Sequence, residues 1–379
     1  MNMEDIQNKY LEMLKGQNRH LDYISGERPI DHAKSYQGNI ENFIGFAQIP
    51  MGLAGPLRMD GTAGISEHWI PLATTEGALV ASYNRGIKAG TMSGGFVSRM
   101  ISNRVQRCPY FEFDGLTEAL EFAQWMRKIE PYMKDGVSQS SRFAKLVSLD
   151  FMHEGNGLHV IFSYETGAAA GQNMVTIVTA QLIEQFLSQA PHKPKLFYIE
   201  ANMSGDKKAN LMSLSKVRGR KVISEVLITK EVIKNIFQSS AEKITKFWQT
   251  GTIAALQTGA VGNHAHIANG LTALFIACGQ DIACISEAAV GIDRLEVKNE
   301  GDLYASLTLP GLIVGTIGGG TSLPTQKESL ELMDCGTPED ADKFAEVCCA
   351  VALAGELSIG AAIAEGHFTK AHKAHGRRR

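Results

Sequence analysis

The stretch "FAKLVSLDFMHEGNGLHVIFSYE" (143–165) decides how the middle of the chain folds. Two runs rich in aliphatic and aromatic residues flank the turn-forming sequence "HEGNG", which is the pattern of a strand pair. Before it, "YFEF" (110–113) predicts a strand and "LTEALEFAQWMRKIEPYM" (116–133) predicts a helix. After it, a helix is predicted for 171–189 and a strand for "KLFYIE" (195–200). The order β-α-β-β-α-β is that of the split βαβ, or ferredoxin-like, fold.

We therefore predict an α+β protein in which a small ferredoxin-like domain, at 109–199, is inserted into a mostly helical large domain. The chain of 379 residues is long enough for two such cores. Residues 1–36 predict polar helices that pack as an arm. The segment "ENFIGFAQIPMGLAGPL" (41–57) predicts an extended stretch that crosses a buried site, and 200–379 is rich in Ala and Gly. The large domain would thus consist of 1–108 and 200–379.

Composition is that of a soluble globular protein. Hydrophobic residues make up 44% of the chain, charged residues 20%, and the net charge of -3 gives no reason to expect nucleic acid as a partner. No apolar run reaches the length of a membrane span, and the first residues lack the apolar core of a signal peptide. The six cysteines show no disulfide framework. We expect a cytoplasmic protein.

An acid and a lysine stand out as possible partners. The apolar stretch "HAHIANGLTALFIACGQDIACISEAAV" (264–290) predicts one long helix in which His266 and Asp281 share a broad face. A carboxylate buried at Asp281 needs a cation, and Lys207 in the glycine turn "NMSGDKKAN" (202–210) is the obvious candidate. A purely structural ion pair, or a polar surface turn at 202–210, would leave the same pattern.

Glu76 is a further candidate acid. It lies in "ATTEGALVASYNRG" (73–86), which predicts a helix capped by Thr74 or Thr75 and ended by Gly86. A glutamate in a first helical turn also complements the helix dipole without any catalytic role.

Other motifs limit the cofactor and metal chemistry. Histidines occur near both candidate regions, but without HExxH or an adjacent cysteine pair we predict no metal site. Three glycine-rich stretches, 90–96, 167–173 and 315–324, match neither GxGxxG nor a Walker loop, although glycine still permits close backbone approach to a ligand. Ser141 and Arg142 suit a phosphate monoester.

Six segments in one consistent order resemble the 3-hydroxy-3-methylglutaryl-CoA (HMG-CoA) reductase family, in the class that includes the eukaryotic catalytic domains. They are "ENFIGFAQIPMGLAGPL", "ATTEGALVASYNRG", "NMSGDKKAN", "HAHIANGLTALFIACGQD", "GTIGGGTSLP" and "AGELSIGAAIAEGHFTKAHKAHGR", spanning about 40–376. The resemblance implies NADPH-dependent reduction of HMG-CoA to mevalonate and CoA, in a homodimer with its active site at the subunit interface. The membrane anchor of eukaryotic members is not expected here. A reductase of another acyl-CoA, or a non-catalytic binding relative, remains an alternative.

The resemblance also implies residue roles. Lys207 would stabilise the oxyanion, Asp281 would keep Lys207 protonated and couple it to Glu76, and His372 would protonate the departing CoA thiolate. The residues implied for acyl-CoA binding are Ser82, Asn84, Arg85, Lys88, Arg107, Asp206, Lys208, His266 and Asn269. Those implied for the cofactor are Ser141, Arg142, Ala168, Ala169, Ala170, Gly171, Gln172, Asn173, Gly318 and Gly319, with the Ser141–Arg142 pair on the 2′-phosphate favouring NADPH over NADH.

The chain departs from the family pattern at several of these positions. Ala168 stands where the family has aspartate, Glu200 where it has serine, and Ala371 where a serine precedes the catalytic histidine. A family lysine near position 250 is missing, and Lys246 is the nearest one. These changes leave the four catalytic residues intact but affect cofactor and acyl recognition.

Overall fold

The computed structural model describes residues 2–141 and 143–366. In this part of the chain the strands are β1 (Met51–Gly61), β2 (Gly64–Ala73), β3 (Phe96–Arg107), β4 (Tyr110–Glu112), β5 (Lys145–Glu154), β6 (Gly157–Glu165), β7 (Leu196–Tyr198), β8 (Gly219–Ile228), β9 (Ile292–Lys298) and β10 (Asp302–Leu312).

The α-helices are α1 (Met3–Gly16), α2 (Asp22–Ser25), α3 (His32–Ser35), α4 (Leu79–Met92), α5 (Leu116–Ser140), α6 (Gln172–Leu187), α7 (Met212–Ser215), α8 (Lys230–Val232), α9 (Ala241–Thr258), α10 (Ile267–Ala277), α11 (Ile285–Ala288), α12 (Pro324–Leu332) and α13 (Ala341–Ala364). A π-helical turn covers Ile233–Phe237, and 3-10 turns cover Ile282–Cys284, Gly319–Ser322 and Pro338–Asp340.

The middle of the chain has the predicted element order. The sequence β4-α5-β5-β6-α6-β7 forms an antiparallel sheet with strand order β7-β4-β6-β5, which is the ferredoxin-like arrangement. Phe111, Phe122, Phe162 and Leu182 belong to a core cluster of its own, between the sheet and the two helices. The α+β fold class is therefore confirmed.

Outside this unit, six strands accompany the helices. β1, β2, β3, β8, β9 and β10 were not predicted, partly because Gly and Pro interrupt sequences such as "MGLAGPLRMDG" and obscure their strand propensity. β3 joins the two parts of the sheet, because it pairs with β6 at its end and with β8 along most of its length. The predicted N-terminal arm is present, and Leu14 and Leu21 pack it against Leu332.

Helix α13 forms the centre of the larger core. It is rich in Ala, Gly and Cys, and nearly all of its residues are buried. Together with the preceding 3-10 turn, the segment Pro338–Ala364 is long and apolar enough to cross a membrane, but 89% of its most apolar window is buried inside the protein. That degree of burial is typical of a core helix.

Three predicted segments differ from the structure. The long helix over 264–290 is broken, because Gly279 adopts a left-handed φ of 66° after α10 and Asp281 then caps a 3-10 turn. The helix predicted over 73–86 begins only at Leu79 and continues to Met92, since Ala73 still belongs to β2. Residues 41–50 are exposed rather than buried, and regular structure begins only at β1.

Candidate active site

Lys207 and Asp281 form an ion pair, as the sequence predicted. Lys207 Nζ lies 3.1 Å from Asp281 Oδ2, and the two side chains are 46% and 42% exposed. The hydrogen bond to Asp281, strengthened by its charge, raises the pKa of Lys207 above its ordinary value despite partial burial. The expected burial of Asp281 was wrong, because the chain turns at Gly279 and carries the carboxylate to the surface. The pair therefore presents a charged ammonium to an incoming ligand.

A buried ion pair contacts the backbone of Lys207. Arg218 Nε donates to Glu287 Oε2 at 2.6 Å, and both side chains are only 2% exposed. Glu287 Oε1 accepts from the backbone N–H of Lys207 at 3.2 Å, although Lys207 has a left-handed φ of 57°. Neither Arg218 nor Glu287 was predicted as a site residue. Glu287 is the only charge in the apolar stretch "CISEAAV", which was an available signal, but Arg218 is one of several charges in "KVRGRKVISEV" and nothing there distinguishes it.

Asp206 connects this pair to a second arginine. It lies 2.7 Å from Arg218 Nη2 and 3.5 Å from Arg107 Nη1. Burial alone would raise the pKa of Asp206, but the two guanidinium groups outweigh it and hold the pKa below its usual value. Lys208 Nζ donates to the Asp206 carbonyl at 2.9 Å. Arg107, Asp206 and Lys208, all predicted for the acyl group, are thus brought together.

Gln172, predicted on the cofactor loop, joins the same cluster. Its amide donates to Asp206 at 3.1 Å, its side-chain oxygen accepts from Arg218 at 2.7 Å, and its carbonyl accepts from Arg107. Gln172, the first residue of α6, therefore connects the cofactor loop to the acid cluster, by which we mean Asp206 and Glu287 with their partners Arg107 and Arg218.

Glu76 and Asn269 form a separate pair. Asn269, in the first turn of α10, donates to Glu76 Oε2 at 2.9 Å. Glu76 lies in the turn before α4, where its N–H donates to Thr74 Oγ1 at 3.0 Å, and not in a first helical turn as predicted. Among the described residues, 2–141 and 143–366, no hydrogen bond or ion pair joins Glu76 to Lys207 or Asp281. The expected coupling is therefore not made within this part of one chain.

The α4 residues predicted for the acyl-CoA face α13 and β1. Arg85 donates to the carbonyl of Ser358 at 2.6 Å, and Ser82 Oγ lies 3.0 Å from Ser358 Oγ. Burial lowers the pKa of Arg85. Asn84 accepts from the Gly55 N–H at 2.9 Å, and Lys88 is exposed.

His266 is anchored at the start of α10. Its Nδ1 lies 3.0 Å from the buried Glu356, which also accepts from the backbone N–H of His266 at 2.8 Å. Burial would raise the pKa of Glu356, but the contacts with His266 and the backbone lower it. Tyr83 stacks on the His266 ring at 5.5 Å and accepts from the Gly270 N–H. Glu356 and Ser358, both inside α13, were not predicted as site residues.

Two glycine-rich stretches that are distant in the sequence lie side by side. The N–H of Thr316 donates to the Ala168 carbonyl at 3.0 Å, and Ala169 forms a parallel bridge with Ile317. Gly171, Gly318 and Gly319 all have left-handed φ values. Ala170 packs against the larger core, and Asn173 is exposed at the start of α6.

Ser141 closes the end of α5, where its hydroxyl accepts from the N–H groups of Phe143 and Ala144. Arg142 and His372 lie outside the described residues. Among the residues that are described, no group of three or more His, Cys, Asp or Glu side chains could hold a metal ion.

Comparison with known proteins identifies the family. A sequence profile for hydroxymethylglutaryl-coenzyme A reductase matches residues 5–377. The 3-hydroxy-3-methylglutaryl-coenzyme A reductases of Pyrococcus horikoshii and Methanocaldococcus jannaschii are 40% and 38% identical, each over 98% of this chain and over 91% and 92% of their own lengths. The Xenopus laevis enzyme is 35% identical over 89% of this chain and 39% of its own length.

Solved structures agree in fold. The class II 3-hydroxy-3-methylglutaryl-CoA reductase from Streptococcus pneumoniae, bound to NADPH in open conformations, superposes with a TM-score of 0.75 at 20% identity, covering 94% of this chain and 96% of that one. The higher identity to the Xenopus enzyme agrees with the class indicated by the sequence motifs. The profile match over almost the whole chain, with relatives at 38–40% identity, shows that this chain belongs to the hydroxymethylglutaryl-coenzyme A reductase family.

Proposed function

We infer that this chain reduces HMG-CoA to mevalonate and CoA with NADPH. The observation that carries the inference is the exposed Lys207–Asp281 pair, which contacts the buried Arg218–Glu287 pair through the Lys207 N–H, in a member of this family. Reducing a thioester to an alcohol develops negative charge on the carbonyl oxygen, and a fixed ammonium stabilises that charge. Asp281 keeps the ammonium protonated and in place.

Protons have two proposed sources. Glu76, oriented by the amide of Asn269, would donate to the oxygen of the aldehyde in the second reduction. His372 would protonate the CoA thiolate when the thiohemiacetal collapses, since an imidazole with a pKa near its usual value of about 6.5 can supply a proton at neutral pH.

The acyl-CoA would contact the larger part of the chain, 1–108 and 200–379. We assign Arg107, Asp206, Lys208 and Asn269 to the distal end of the acyl group. Residues on α4 and α10 take the CoA portion, namely Ser82, Asn84, Arg85, Lys88 and His266. The exposure of Lys88 at the end of this face suits a phosphate of CoA.

The inserted unit, 109–199, would bind NADPH. The paired stretches 167–173 and 315–319 lack side chains beyond methyl groups at several positions, and their left-handed glycines allow a ligand to approach the backbone. Ser141 and Arg142 would hold the 2′-phosphate. NADPH would supply the hydride for each reduction. The residues described above would orient the acyl group, and Glu76 and His372 would supply the protons.

We propose a cytoplasmic homodimer in which two copies share each site. Support comes from the absence, among the described residues, of a hydrogen bond or ion pair that joins Glu76–Asn269 to Lys207–Asp281. The segment 40–49 also exposes several large apolar side chains, among them Ile44 at 101%, which is a typical surface for association.

The test is NADPH oxidation by purified protein supplied with HMG-CoA. We expect oxidation with NADPH, much slower oxidation with NADH, and mevalonate as the product. Faster oxidation with another acyl-CoA would identify a reductase of different substrate. Binding of HMG-CoA without oxidation of either cofactor would contradict the proposal.

A further inference from the structure

Glu200 pairs with Arg107 of the acid cluster, but the proposed function gives it no role. It follows β7 by two residues, and its Oε2 accepts from Arg107 Nη1 at 3.2 Å and from the Cys108 N–H at 3.2 Å. The Arg107 side chain is 6% exposed and that of Glu200 is 25% exposed, so water screens this pair only in part. Glu200 therefore neutralises Arg107, the arginine that we assign to the distal end of the acyl group.

Counting charges shows what Glu200 changes. Around Lys207 lie four cations, Arg107, Lys207, Lys208 and Arg218, and four carboxylates, Glu200, Asp206, Asp281 and Glu287. An acyl group that ends in a carboxylate would add a fifth anion to this cluster. Without Glu200, the cations would outnumber the carboxylates by four to three before the ligand binds. A carboxylate so close to Arg107 thus opposes a ligand carboxylate at the same position.

Two polar atoms of the pair have no partner. Glu200 Oε1 and Arg107 Nε are buried and make no hydrogen bond in the described structure. A buried acceptor without a donor is costly, so Glu200 depends on Arg107 and the Cys108 N–H to compensate its charge. A ligand carboxylate that competes for Arg107 would weaken that compensation, whereas a neutral distal group would not.

We propose that Glu200 determines acyl specificity: by neutralising Arg107 it weakens the preference for acyl groups that end in a carboxylate over those with a neutral end. This inference rests on the proposed function only in taking Arg107 to face the distal end of the acyl group. It assigns the enzyme a broader acyl-CoA range than a site with an unpaired arginine would have.

The test compares two acyl-CoAs that differ by one carboxylate. HMG-CoA and 3-hydroxy-3-methylbutyryl-CoA share the hydroxyl, the methyl group and the thioester, and calorimetry gives a dissociation constant for each. Glu200→Gln removes the charge but keeps an oxygen that can accept from Cys108. We expect it to tighten HMG-CoA binding about tenfold, or about 1.4 kcal/mol, and to change binding of the neutral analogue less than twofold.

The ratio of the two constants is the decisive quantity, because any general damage to the fold affects both ligands. Glu121→Gln, which removes a carboxylate paired with His192 on the exposed face of α5, is the control and should leave the ratio unchanged. An unchanged or reversed ratio in Glu200→Gln would overturn the inference even if NADPH oxidation proceeds. Failure of the wild-type protein to bind either acyl-CoA would instead contradict the proposed function, and the inference with it.

Discussion

At Lys207, the side chain and the backbone are held by two different carboxylates. Asp281 takes the ammonium and Glu287 takes the peptide N–H, which fixes a left-handed conformation that lysine rarely adopts. The Lys207–Asp281 pair was predicted from the sequence, although the argument assumed a buried carboxylate and Asp281 is 42% exposed. The role of Glu287 could not, since nothing in "ISEAAV" indicates which backbone group its side chain meets.

Asp206 makes the stability of this cluster dependent on pH. Because its folded pKa is depressed, ionised Asp206 contributes stability that is present above its unfolded pKa of about 3.9 and is lost as the pH falls through the folded value. We expect Asp206→Asn to lower the free energy of unfolding by about 2 kcal/mol at neutral pH. The difference from wild type should shrink below about pH 4.

Urea unfolding at a series of pH values measures that difference. Asp302→Asn, at the first residue of β10, where the side chain accepts from the Lys230 N–H, is the control and should show a small difference at every pH. A difference for Asp206→Asn that stays constant down to the lowest pH would mean that the arginines do not stabilise its charge.

At the scale of elements, the sequence was most informative where periodicity is local. The ferredoxin-like unit could be predicted because each of its strands and helices has its own pattern. The ends of α4 and α10 could not, because tertiary contacts decide them. Gly86, predicted as a helix end, lies inside α4 because it allows close contact with α13: a Cβ there would lie 1.9 Å from the Ala354 carbonyl oxygen.

Gly86→Ala should therefore separate α4 from α13. Neither backbone can move without disturbing the core, so we expect a loss of about 1–3 kcal/mol in the free energy of unfolding. Gly251→Ala, in α9, is the control, because a Cβ there meets no atom within 4 Å and alanine favours a helix. Thermal and denaturant unfolding of both variants tests this. If Gly86→Ala had the same free energy of unfolding as the wild-type protein, α4 and α13 would tolerate a wider spacing.

At the scale of the whole molecule, no hydrogen bond or ion pair within the described part of the chain joins Glu76–Asn269 to Lys207–Asp281. If two copies complete each site, Glu76→Gln and Lys207→Met should each be inactive alone but active when co-expressed. Random pairing places one intact site in the mixed dimers and none in the others, which gives about one quarter of wild-type activity per chain. The measurement is the rate of NADPH oxidation by the co-purified mixture.

The control is Glu76→Gln co-expressed with a second Glu76→Gln chain carrying a different tag. It should remain inactive, because no combination restores the acid. Inactivity of the Glu76→Gln and Lys207→Met mixture, with mixed dimers present, would mean that each chain builds its own site. The spacing of residues could not show a shared site, because an interface between copies leaves no local pattern; only the family resemblance implied one.

The most direct test of the reductase assignment is the ratio of NADPH oxidised to CoA thiol released when HMG-CoA is the substrate. Complete reduction of a thioester to an alcohol uses two hydrides per thiol, so we predict a ratio of two for the wild-type protein. Lys207→Met should bind HMG-CoA but lose on the order of 10²–10³ in rate. Release of CoA thiol without NADPH oxidation would instead show thioester hydrolysis, and would contradict the account.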